Sequence, residues 1–201
     1  LATRRGEWPR TPLTPIRTKT LGIFGLGRIG RSMAVRALAL GMNVIATEKF
    51  PDQDFLANHH VELVDFDELL SRSDFITIHS PLTDDTHGVF NKDAFSKMKQ
   101  GAALINSARG DIVVETDLLD ALKSGHLSGA GLDVFQQEPP SPDNPLFELD
   151  CVVTSPHIAG ADDISLEAMG VEAAECIVNL HRGEWPDGAV VNGGLKAEWQ
   201  W

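Results

Sequence analysis

A short apolar strand pattern, Thr20 to Phe24, runs directly into Gly25-Leu26-Gly27-Arg28-Ile29-Gly30, and helical spacing starting at Arg28 continues to Leu40. A strand, a G-x-G-x-x-G turn and a helix in immediate succession leave few folds open. Glycines at these intervals permit a tight turn, close approach of a pyrophosphate to the backbone, and close packing of the helix on the strand. The six letters alone arise often by chance; their placement between strand and helix gives them weight. Such a turn aims the N–H groups of the first helical turn at an anion.

The remainder of the chain repeats the alternation. Apolar, β-branched runs recur at Asn43 to Thr47, Val61 to Val64, Phe75 to His79, Ala102 to Asn106, Gly129 to Val134 and Val152 to Thr154. Helical segments lie between most of them: the capping pattern Asp65-x-x-Glu68, Glu115 to Ser124 with Gly125 behind it, and Ile164 to Arg182 stopped by Gly183. Strands alternating with helices predict an α/β fold, a doubly wound parallel sheet covered on both faces. One such domain accounts for residues 20–183. Residues 1–19, basic and carrying Pro9, Pro12 and Pro15, read as a connecting arm. Residues 184–201 read as a return segment in which Trp185, Trp199 and Trp201 need burial.

Composition narrows the partners. Lys and Arg number 17 against 29 Asp and Glu, a net charge of −12, which argues against a broad grip on a nucleic-acid backbone. Residues 1–31 hold seven cations and one anion, +6, leaving −18 on the rest. No run reaches the roughly 18 uncharged apolar residues of a membrane span. Cys151 and Cys176 lie 25 apart with no metal-ligand spacing, so no metal site is expected and a reducing compartment, most simply the cytoplasm, is the expectation.

A dinucleotide turn calls for an acidic residue about 20 positions on, at the end of the second strand, to accept from the adenosine ribose hydroxyls. Glu48, eighteen residues after Gly30, stands there. A carboxylate at that place repels the 2′-phosphate of NADP and favours NAD. Lys49 keeps NADP open, because its ammonium could receive that phosphate if the loop turned Glu48 outward; otherwise it is a solvated loop charge.

In an open parallel sheet, ligands bind beyond the carboxyl ends of the strands. Arg109, Glu138 and His157 each lie a few residues past a strand end, on the edge that carries the glycine loop. Singly each has a dull explanation: a surface charge, a loop carboxylate, a turn histidine. Together beside a dinucleotide site they supply a bidentate cation, a carboxylate and an acid–base group, the set that hydride exchange with a carbonyl acid requires. Asp133, at the end of Gly131-Leu132-Asp133-Val134, aims at the same crevice or caps the next turn.

Four motifs in order resemble the D-isomer-specific 2-hydroxyacid dehydrogenases: Gly25 to Gly30, Ser107-Ala108-Arg109-Gly110-Asp111, Leu132 through Glu138-Pro139, and Ser155-Pro156-His157-Ile158-Ala159-Gly160. His79-Ser80-Pro81-Leu82 with Thr86 resembles the family loop near the cofactor. The resemblance implies that Arg109 grips the substrate carboxylate and carbonyl, that His157 is the acid–base residue and that Glu138 pairs with it. It further implies cofactor contacts from Arg28 and Ile29 at the pyrophosphate, Ser80, Pro81 and the Ser107-Ala108 backbone near the nicotinamide ribose, and Asp133 and Gly160 at the nicotinamide. Formate dehydrogenases, with glutamine in place of Glu138, fit less well. The family's N-terminal substrate domain has no counterpart in these residues, so the chain is expected to be the cofactor domain of a two-domain enzyme, weakly active alone, acting on a small 2-hydroxy or 2-oxo acid and dimerising through this domain. The alternative within the family is an NAD(H)-sensing, co-repressor-like binding protein.

Overall fold

The computed structural model describes residues 3–8, 10, 15–190 and 192–199. Pro9 and Pro12 of the expected arm and Trp201 of the return segment lie outside the described residues. Seven parallel strands form one sheet in the order β3-β2-β1-β4-β5-β6-β7, with β1 Thr20–Phe24, β2 Asn43–Thr47, β3 Val61–Leu63, β4 Phe75–Ile78, β5 Ala103–Asn106, β6 Gly129–Leu132 and β7 Val152–Thr154. The doubly wound fold read from the sequence is thus observed, with strand ends trimmed by one or two residues. Strand order reverses between β1 and β4, the switch point at which such sheets open a crevice.

The pleat sends alternate residues to opposite faces. Leu21, Ile23, Val44 and Ala46 meet Ala34 and Ala37 of α1 (Arg28–Ala39) on one face. On the other, Ile45, Ile76, Ile78 and Leu104 pack against Leu69 and Leu70 of α3 (Phe66–Arg72) and Leu118 and Leu122 of α5 (Glu115–Lys123). Each fully buried Leu, Ile or Phe contributes about 1.5–3 kcal/mol of transfer free energy. Phe24, Phe66 and Phe90 close this face at the carboxyl edge with ring centroids 5.2 to 5.4 Å apart.

Two helices escaped the sequence reading, α2 (Gln53–Asn58) and α4 (Lys92–Lys97). At six residues neither displays a full amphipathic repeat. Each is started by a side chain, Asp52 accepting from Phe55 N and Asn91 accepting from Asp93 N and Ala94 N. The expected cap at Asp65 forms, its carboxylate taking Glu68 N at 2.8 Å.

Contacts divide the chain into two compact units, Leu1–His157 and Ile158–Trp201. The second unit carries α6 (Asp163–His181), which is apolar around much of its circumference and buries none of its residues. Ile164, Leu166, Met169 and Ile177 are all exposed. Within this second unit Trp185 and Trp199 meet edge to face at 5.9 Å, and Lys196 pairs with Asp187. No described helix is long and apolar enough to cross a membrane.

Candidate functional site

The glycine loop is the first part of the site. Gly25 takes φ +97°, and a Cβ there would meet Ser80 N at 2.7 Å, so the β1 loop lies against the β4 loop. A Cβ on Gly30 would strike the Gly25 carbonyl oxygen at 2.1 Å, which makes that residue the one that lets α1 close on the strand. Gly27 is different: a Cβ on it would meet nothing within 4 Å. It is also the N-cap of α1 and supplies no side chain to the first turn. A bare backbone at the start of a 12-residue helix, facing open space, fits the pyrophosphate of a dinucleotide. Arg28 and Ile29 follow in the first turn with their side chains exposed.

Beside this loop a cavity of about 660 Å³ opens between the ends of β1, β2 and β4, lined by Gly25, Gly27, Glu48, Lys49, Phe50, His79, Ser80 and Pro81 among others. Glu48 is turned inward. One carboxylate oxygen accepts Leu26 N at 2.8 Å and the other Phe50 N at 3.0 Å, which bolts the β2 loop to the glycine loop. A carboxylate oxygen has a second lone pair, so both anchors leave acceptor capacity for ribose hydroxyls. Lys49 is held instead by Asp85, at 3.3 Å. His79 donates its backbone N–H to Phe24 O, its ring sits 3.1 Å from Thr77 Oγ1, and burial pushes its imidazole below the usual histidine range.

The second part lies at the ends of β5, β6 and β7. Glu138 and His157 are joined there, Nδ1 to Oε2 at 2.8 Å, while the other oxygen of Glu138 accepts Phe135 N at 3.0 Å. The hydrogen bond from His157, then that from Phe135 N, then the charges of His157 and Arg109 hold the Glu138 carboxyl below the usual carboxylate range. His157 has φ +56°, a left-handed conformation costly for a non-glycine residue, and its N–H is fixed to Asp133 O at 2.8 Å. Asp133 is buried, and its carboxylate accepts from Ser155 Oγ at 2.5 Å. Arg109 is exposed, and its Nη1 donates to its neighbour's carbonyl, Ala108 O, at 2.6 Å. With Nδ1 engaged, Nε2 is the ring nitrogen through which His157 can exchange a proton.

Three further residues build this edge and were not singled out by the sequence reading. Asn106, buried at the end of β5, donates to Arg109 O at 2.9 Å and accepts Ala108 N at 3.0 Å, so it shapes the Ser107-Ala108-Arg109 loop from inside. A Cβ on Gly110 would sit 2.0 Å from the Phe135 carbonyl, which shows how closely the arginine loop abuts the loop carrying Glu138. Glu115 takes Gln136 N and Asn144 Nδ2, anchoring that second loop to the start of α5. Their common signal was a polar or small residue at the boundary of an apolar run. Gly160 falls in the other unit, where it is exposed.

Residues 2–159 match the family model described as D-isomer specific 2-hydroxyacid dehydrogenase, NAD binding domain. The chain is 47% identical over 182 residues to a D-3-phosphoglycerate dehydrogenase of Archaeoglobus fulgidus, covering 90% of this chain and 34% of that protein. It is 41% identical over 172 residues to a glyoxylate reductase of Korarchaeum cryptofilum, covering 86% of this chain and 52% of the relative. The structure of D-lactate dehydrogenase with NAD+ from Lactobacillus jensenii superposes with a TM-score of 0.86 at 27% identity, covering 94% of this chain and 62% of that one. The chain thus spans a third to a half of these curated relatives.

Proposed function

Because the chain belongs to the D-isomer-specific 2-hydroxyacid dehydrogenase family through its NAD-binding domain, we propose that it serves hydride exchange between NAD(H) and a small 2-hydroxy or 2-oxo acid. The observation that carries this reading is the Glu138–His157 pair, 2.8 Å apart at the edge of the sheet that also bears Arg109 and the glycine turn. Relatives named for 3-phosphoglycerate and glyoxylate chemistry fit the same substrate class.

When bound, the nicotinamide cofactor supplies or accepts the hydride. The chain's own groups do the rest. Backbone N–H groups at the start of α1, with Arg28 and Ile29, hold the pyrophosphate, and Glu48 takes the adenosine ribose. Ser80, Pro81, Ser107, Ala108, Asp133 and Gly160 are assigned to the nicotinamide side. Arg109 binds the substrate carboxylate with its planar fork. In reduction, negative charge grows on the carbonyl oxygen, and His157 neutralises it by donating the Nε2 proton while Glu138 keeps Nδ1 engaged. Oxidation reverses the transfer, with neutral His157 as base. Residues 1–19 and 184–201 are assigned to links with a substrate domain whose closure excludes water. The two free cysteines suit a reducing compartment, the cytoplasm in this reading. The co-repressor-like alternative gains no specific observation.

Fluorescence titration with NADH and NADPH tests the cofactor half. NADH should bind at least tenfold tighter, and Glu48→Ala should weaken NADH by about 1.5–3 kcal/mol, the worth of a hydrogen bond to a charged acceptor. Equal binding of both cofactors by the unaltered chain would refute the role of Glu48. A second copy docking through the cofactor domain completes the proposal. Sedimentation at micromolar concentration should show a dimer, and a monomer there would remove that element.

A further inference from the structure

A cation that lines the cavity receiving the adenosine ribose in the reading above, and another on the helix that follows the glycine loop, are each already claimed by an acid. Arg31, on α1, pairs with Asp52 and lies over the Phe55 ring at 5.8 Å. Lys49 follows Glu48 directly, yet its ammonium reaches across the cavity to Asp85, 36 residues on, at 3.3 Å. Both side chains of this second pair are largely exposed. An exposed lysine has many rotamers, and a fixed acceptor restricts which of them it occupies.

Asp85 is such an acceptor because its turn is rigid. Thr86 Oγ1 accepts Thr83 N at 2.8 Å and donates to Pro81 O at 2.8 Å, closing the loop after β4 on itself. Glu48, Lys49, Pro81, Asp85 and Thr86 all line the one cavity. Glu48 is fixed inward by two backbone donors. The discriminating geometry is therefore an anion fixed by backbone donors and an adjacent cation engaged by an acid.

We propose that Asp85 is a specificity-determining residue of the cofactor site: it engages Lys49 and so withholds a neighbouring charge that could receive a 2′-phosphate. Glu48 repels the phosphate, and Asp85 removes its compensation. The inference rests on the dinucleotide reading of the site. It also explains how a chain with lysine immediately after the ribose carboxylate can still prefer the unphosphorylated cofactor.

The test measures Kd for NADH and NADPH with the full chain as it stands, with Asp85→Asn, with Lys49→Ala and with both changes together. Exposed ion pairs bias side-chain positions by factors of a few, so Asp85→Asn should tighten NADPH binding roughly two- to fivefold and leave NADH essentially unchanged. The double variant should return NADPH to the value of Lys49→Ala. A gain that persists in the double variant would overturn the tether, because the lost charge of Asp85 would then act by itself. Equal changes for both cofactors, or none, would overturn it as well. Failure of the unaltered chain to bind NADH is a separate result and would refute the dinucleotide reading instead.

Discussion

Replacing His157 with alanine in the enzyme that carries this chain is expected to lower kcat by roughly 10²–10⁴-fold, the usual contribution of a positioned acid–base group, while NADH affinity changes little. The groups proposed to hold the pyrophosphate and the adenosine ribose, the glycine turn and Glu48, lie at the ends of β1 and β2, whereas His157 follows β7, on the far side of the switch point. Its ring is oriented by Glu138 and its backbone by Asp133 O, so alanine removes a proton carrier without removing a support of the glycine loop. Alanine also relieves none of the left-handed strain at φ +56°, so folding should be nearly unaffected. Glu138→Gln should cost less, because glutamine still offers an oxygen to Nδ1 but no charge to an imidazolium. Lost NADH binding with turnover intact in His157→Ala would reverse the assignment.

The pair also fixes a pH dependence. Glu138 is held below the ordinary carboxylate range, chiefly by His157. A depressed folded-state value means that the pair's contribution is fully present above the unfolded carboxyl pKa, about 4.3 for Glu, and is lost as pH falls through the lower folded value. The wild-type acid limb due to Glu138 should therefore lie below about pH 4.3 and be missing from Glu138→Gln, whose amide does not titrate.

What could be read from the chain depended on whether a residue's role is local. The strand, turn and helix at 20–40 announce themselves because they follow one another directly in the chain, and apolar runs mark all seven strands, β-branched in all but β6. The six-residue helices α2 and α4 offer too few positions for periodicity to show, and only the caps Asp52 and Asn91 betray them. α6 was legible as a helix, although apolar content alone does not say what a helix packs against. The same divide runs through the site. Arg109, Glu138 and His157 stand out as charged residues just past apolar strands. Gly110 and Glu115 act on a loop 21 to 29 residues away and Asn106 on backbone two and three residues on, and their only local sign is a polar or small residue where an apolar run begins or ends.

Arg109→Lys should be the next most damaging change, with kcat/KM for the acid substrate falling by roughly 10–100-fold, about 1.4–2.7 kcal/mol, the value of one charge-assisted hydrogen bond. Charge is conserved by the substitution and geometry is not. A guanidinium presents paired donors in a plane that matches a carboxylate, whereas an ammonium offers one compact charge on a flexible stem. Much of the arginine's effectiveness comes from its mounting. Asn106 grips both Arg109 O and Ala108 N, and Gly110 lets the loop press against the Phe135 carbonyl, so the side chain leaves a backbone that is fixed on both sides. For the same reason Asn106→Ala should produce a weaker version of the same phenotype with Arg109 still present. The loss must appear with the acid substrate and be absent from NADH titration, since Arg109 is assigned to the acid rather than to the adenosine half of the site. Near-normal KM and kcat in Arg109→Lys would mean that the carboxylate is held by another group, and the clamp would have to be abandoned.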